Sequence, residues 1–137
     1  MFYDQLAVGD TAAVEKTISE EDVYLFADII GDLNPVHVDQ SYAETTRFAT
    51  RIVHGILTAS LFSTVFGMHL PGPGSIYVSQ TLNFVAPVPV GEAVRASVTV
   101  AEKLEKGRVR FDCVATRSDG TVVVTGEAIL LPPRPAA

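Results

Sequence analysis

Residues 55–68, GILTASLFSTVFGM, restrict the fold more than any other segment. Their apolar side chains fall on nearly every face of a helix, so something must surround that helix. A membrane is a poor candidate. The apolar run over residues 52–70 is interrupted by His54, Thr58, Ser60, Ser63, Thr64 and His69. The cover has to come from the rest of the chain, and strand patterns follow at residues 76–86, 93–103, 108–117 and 122–131. In the second, Val94, Ala96, Val98 and Val100 alternate with Arg95, Ser97 and Thr99. In the third, Val109, Phe111, Cys113 and Ala115 alternate with Arg108, Arg110, Asp112 and, imperfectly, Val114. Period-two alternation marks a sheet with one face on a core and the other toward polar surroundings.

The connections set the topology. Pro87 to Gly91, Glu105 to Gly107 and Ser118 to Gly120 carry turn residues. Short turns imply antiparallel pairing. Upstream, residues 10–17 fit a first strand. Ser19 followed by Glu20, Glu21 and Asp22 fits a helix N-cap with first-turn acids. Val23, Phe26, Ala27 and Ile30 recur at helical spacing, and Gly31 provides a stop. Around Pro35 the chain is expected to be irregular, with a second short helix over residues 40–47. The predicted order is strand, helices, then four antiparallel strands. The fold class is α+β: a curved antiparallel sheet wrapped around one long central helix, the hot-dog arrangement, as a single domain over residues 1–137.

Composition narrows the partners. Charged residues make up 19% of the 137 positions, which is low for an exposed surface and suggests that part of it is covered by another copy of the chain. A net charge of −6 argues against nucleic acid, and any phosphate-bearing ligand needs a local basic patch. The one cysteine, Cys113, excludes an internal disulfide and a cysteine metal cluster. It occupies an inward strand position and fits a small core residue. The start, MFYDQLAVGD, lacks the basic and apolar stretches of a signal peptide, so a cytoplasmic setting is expected.

The chemistry concentrates in Gly31-Asp32-Leu33-Asn34-Pro35-Val36-His37-Val38-Asp39 and in His54-Gly55 at the start of the long helix. A polar, proline-stiffened loop beside a buried helix start suits a water held next to developing negative charge. That points to acid/base work on a carbonyl compound. Asp32 and Asn34 taken alone are ordinary turn formers; together with His37 and His54-Gly55 the catalytic reading prevails. His54 is expected to be a structural hydrogen-bond partner, and His69 is given no role. A metal site from His37, Asp39 and His54 lacks a completing ligand, and no G-x-S-x-G elbow supports a serine triad.

The runs GDLNPVHVD and IVHGILTASLFS, with the later GSIYVSQTLNFVAPVPVGE, resemble the MaoC-like (R)-specific enoyl-CoA hydratases. The likeness covers about residues 21–132 and is closest to the short, single-hot-dog bacterial enzymes associated with polyhydroxyalkanoate synthesis. Ile56 stands where methionine is common, a mild change. The resemblance implies a homodimer, no metal or other cofactor, and reversible hydration of trans-2-enoyl-CoA to (R)-3-hydroxyacyl-CoA. It maps the catalytic pair onto Asp32 and His37, a supporting asparagine onto Asn34, the oxyanion-binding glycine onto Gly55, and a nearby serine onto Ser63. Asp32 would activate a water that His37 orients, and Gly55 N–H would meet the thioester oxygen. The site is expected at the mouth of a tunnel between protomers, with Ile56, Leu57 and Ser63 lining part of the acyl channel. Ser63 equally fits a buried hydroxyl bonding back to its own helix. For coenzyme A phosphates, Arg47, Arg51, Arg95, Lys103 and Arg108 are all candidates.

Two rivals stand beside this reading. An acyl-CoA thioesterase uses the same fold, since fold does not dictate function; the D-x-N-P-x-H loop is the hydratase form. A non-catalytic acyl-CoA-binding partner subunit would have no need of Asp32 and His37.

Overall fold

The computed structural model describes residues 1–136. Strand β1 (Thr11–Thr17) leads into helix α1 (Glu20–Ile30), two single-turn helices α2 (Pro35–Val38) and α3 (Gln40–Ala43), and the long helix α4 (Gly55–Met68). Strands β2 (Ile76–Gln80), β3 (Asn83–Phe84), β4 (Ala93–Lys103), β5 (Val109–Arg117) and β6 (Val122–Leu131) follow. They form one antiparallel sheet of order β1-β4-β5-β6-β2, with β3 also on β6. Helix α4 packs on this sheet against β1, β4, β5 and β6, and the α+β hot-dog arrangement is the fold observed.

The core follows from the alternation. Val94, Ala96, Val98 and Val100 on β4 face Phe111, Cys113 and Ala115 on β5, and all are buried. Phe62, Val65 and Phe66 descend onto them from α4, and Phe66 meets Phe111 edge-on with ring centroids 4.9 Å apart. Each such side chain contributes roughly 1.5–3 kcal/mol by leaving water.

Three expectations need correction. Residues 76–86 are two strands instead of one. The break comes where the Thr81 carbonyl crowds Gly126 of β6: a Cβ at Gly126 would sit 1.9 Å from that oxygen. The segment around Pro35 is a helical turn, because Pro35 occupies its first position, where a missing N–H costs nothing. The predicted helix over residues 40–47 is regular only over Gln40–Ala43. The sheet also leaves one side of α4 open. Ile56, Ser60, Ser63 and Met68 are exposed there beside edge strand β2, whose Ile76, Tyr77 and Val78 are exposed as well.

Candidate active site

Helix α1 is fixed at both ends. Ser19 Oγ accepts from Asp22 N–H while the Asp22 carboxylate accepts from Ser19 N–H, and Gly31 takes a left-handed φ of 79°. The chain thus leaves α1 abruptly and delivers Asp32 to the solvent edge. Asp32 Oδ1 accepts the backbone N–H of Asn34 at 3.1 Å. The side chain of Asn34 caps α2, accepting from Val36 N–H at 3.2 Å. Asn34 therefore holds the loop through its backbone and its cap, and its side-chain amide does not contact Asp32 in this geometry.

The single turn of α2 points His37 inward, where it is 8% exposed. Its Nδ1 lies 2.7 Å from the Ile52 carbonyl. A carbonyl only accepts, so Nδ1 carries the proton and Nε2 keeps a free lone pair. Burial pulls the His37 pKa below its ordinary 6.5; the Ile52 bond and the Asp32 charge oppose that shift, and His54 adds to it. The imidazole is therefore neutral at physiological pH and ready to accept a proton.

His54 packs against this pair more closely than a remote scaffold residue would. Its ring stacks on His37 with centroids 3.9 Å apart, and Phe26 meets it edge-on. Its Nε2–H donates to the Asp32 carbonyl at 3.1 Å and stands 3.9 Å from the Asp32 carboxylate. One ring nitrogen from each of His37 and His54 and one carboxylate oxygen of Asp32 lie within 4.8 Å of one another. One water bridges such a gap with two hydrogen bonds of about 2.8 Å. His54 Nε2 and His37 Nδ1 are engaged with carbonyls, which leaves His37 Nε2, His54 Nδ1 and the Asp32 carboxylate as open donor atoms. Asp39 is used elsewhere, as the N-cap of α3.

Gly55 opens α4, so its N–H has no acceptor within the helix, and the helix dipole adds partial positive charge there. A cavity of about 380 Å³ brings His37, Gly55, Ile56, Arg47 and Phe84 to one space. The absence of a Cβ at Gly55 matters here because the Phe84 ring lies against it: a built Cβ would come within 2.7 Å. Thr58, one turn further along, also lines this cavity and is 1% exposed. Thr58 Oγ1 and His54 Nδ1 are buried without a hydrogen-bond partner among the described residues.

The remaining expected residues divide. Ser63 is exposed in a second groove between α4 and β2, with Ser60, Tyr77 and Val78, and does not line the cavity of His37 and Gly55. Ile56 lines both spaces. Leu57 packs against the core and lines neither. Sequence reasoning missed Thr58 and Phe84. Thr58 was detectable as the polar position one turn after Gly55; Phe84 reaches the site from a distant strand, and no local signal marks it.

The description "MaoC like domain" matches residues 7–123 of this chain. An (R)-specific enoyl-CoA hydratase from Rhodospirillum rubrum is 48% identical over 96% of this chain and 92% of its own length. A 3-hydroxybutyryl-CoA dehydratase from Methylorubrum extorquens is 47% identical over 98% of this chain and 85% of its own. Among solved structures, the unliganded R-hydratase PhaJ1 from Pseudomonas aeruginosa superposes with a TM-score of 0.94 at 44% identity, covering 98% of this chain and 86% of that one. A family match over residues 7–123, with relatives close to half identical over nearly the whole chain, makes this chain a member of the MaoC-like domain family.

Proposed function

We propose that this protein catalyses the reversible hydration of trans-2-enoyl-CoA to (R)-3-hydroxyacyl-CoA. The observation that most supports the reading is the pairing of the Asp32 carboxylate with His37 at a distance one water can span, where His37 and Gly55 at the start of α4 line one cavity. The names of relatives close to half identical over nearly the whole chain support the same reaction class.

In the proposed reaction, Asp32 and His37 hold one water against C3 of the enoyl thioester. The water oxygen bonds to C3 as its proton passes to the Asp32–His37 pair, and a proton from that pair is added at C2. The thioester oxygen carries enolate charge in between. The Gly55 N–H meets that charge, a contribution of about 3–4 kcal/mol by analogy with other oxyanion sites. Because the hydroxyl and the proton leave one clamped water, both reach the same face of the double bond. The protons are assigned to the pair and not to either residue alone. The chemistry needs no metal or prosthetic group, and Asn34 serves as the loop's cap.

The reading extends to a cytoplasmic homodimer with the acyl chain running along α4 past Ile56 toward Ser63. Crotonyl-CoA tests the activity. Loss of the conjugated enoyl absorbance without free thiol is expected. Thiol release without enoyl loss would identify a thioesterase, and neither signal a binding subunit.

A further inference from the structure

A coenzyme A thioester carries its fixed charges well away from its reacting carbon. The pantetheine arm is neutral, and the phosphates lie beyond it, where the arm leaves the protein. In a chain of net charge −6, holding that end takes a cation that the protein's own acids have not already neutralised.

Five of the ten lysine and arginine side chains are engaged in ion pairs. Lys16 pairs with Asp22, Arg51 with Glu20, Arg95 with Glu15, Arg117 with Asp119, and Arg110 with Glu102, Asp112 and Glu127. Those without an ion pair among the described residues fall into two places. Lys103, Lys106 and Arg108 belong to the β4–β5 connection, and Arg134 lines a surface groove with Gly107. Arg47 alone lines the cavity that holds His37 and Gly55. Its guanidinium carbon stands 4.9 Å from the centre of the Phe48 ring, and Phe48 lines the same cavity. Stacking on an aromatic face positions the guanidinium while leaving its N–H fork free for a planar, bidentate acceptor such as a phosphate.

We infer that Arg47, braced on Phe48, binds a phosphate of the substrate's carrier group at the mouth of the cavity. The inference rests on the hydratase reading. It settles among the arginines and lysines that the sequence left equivalent, because pairing removes some and position removes the others. The bound group is either the diphosphate next to pantetheine, which resembles the phosphate of a carrier-protein thioester, or the 3′-phosphate specific to coenzyme A.

The test compares kcat/KM for crotonyl-CoA, crotonyl-3′-dephospho-CoA and phosphate-free crotonyl-pantetheine. Arg47→Gln is expected to lower the ratio of crotonyl-CoA to crotonyl-pantetheine about tenfold through KM, the scale of one charge-assisted contact at a partly exposed site. Arg47→Lys should recover part of it, and Arg95→Gln, whose partner is Glu15, should leave the ratio at the wild-type value. A loss that persists with the dephospho substrate assigns the diphosphate; a loss confined to crotonyl-CoA assigns the 3′-phosphate. A ratio taken between substrates is insensitive to a smaller folded fraction, which lowers both alike. An unchanged ratio in Arg47→Gln overturns the inference. Wild-type protein inactive on all three substrates would instead overturn the hydratase reading.

Discussion

Asp32 and His37 meet in one site from opposite environments. Asp32 keeps nearly half of its side chain in solvent and holds its position through the Asn34 N–H, whereas His37 is enclosed and oriented by the Ile52 carbonyl. Asp32→Asn keeps the shape and removes the charge; His37→Gln removes the titrating ring. Each is expected to lower crotonyl-CoA hydration at least a hundredfold, within the roughly 10²–10⁴ that general acid/base groups supply. Near-wild-type rates in either variant would rule the pair out. The lowered pKa of His37 sets a pH signature. A buried imidazole that resists protonation stays an acceptor below 6.5, so the acid limb of kcat/KM should fall with a midpoint under that value. Stability follows the same sign. Between the lowered folded pKa and the ordinary unfolded one, the unfolded chain binds the extra proton. His37 therefore favours unfolding increasingly as pH falls through that window, and chemical denaturation of wild type against His37→Gln should show it.

The regular elements were legible where their determinants are local. Ser19, Asp22 and Gly31 bound α1 because caps act within a turn of themselves, and the alternation of β4 and β5 survives in their burial. What escaped was non-local. Nothing in residues 76–86 announces a break, since its cause sits at Gly126 on another strand. Pro35 is compatible with either an irregular loop or a helix start, and only the cap from Asn34 decides. Helical spacing placed Ser63 about two turns beyond Gly55, but could not tell which groove it faces. Gly126→Ala tests the strand break. The added Cβ meets backbone instead of a movable side chain, so a loss of about 1–3 kcal/mol or more is expected from denaturant midpoints. A shift within about 0.5 kcal/mol, the range of an ordinary surface change, would contradict the close approach.

The whole molecule leaves unfinished the enclosure that α4 seemed to demand. The open side of α4 runs along edge strand β2, and Ile56, Val78, Phe84 and Val85 are all exposed. A long apolar edge of this kind invites pairing with another chain, which accords with the low charge content. Sedimentation is expected to give twice the chain mass of 14.7 kDa. Val78→Lys, which puts a charge on that edge, should shift the mass toward one chain and lower activity with it; a monomeric wild type would remove this expectation. The hot-dog layout, the long helix and the Asp32–His37 loop could all be anticipated from residue order, whereas the uncovered face, Phe84 over Gly55 and the two separate grooves arise only when distant segments meet. The most direct test of a single clamped water is the stereochemical course. Crotonyl-CoA hydrated in D₂O and examined by proton NMR should yield 3-hydroxybutyryl-CoA with the C2 deuterium and the C3 hydroxyl added to the same face. Addition to opposite faces would mean that water and proton come from separate places, and the shared clamp would be wrong.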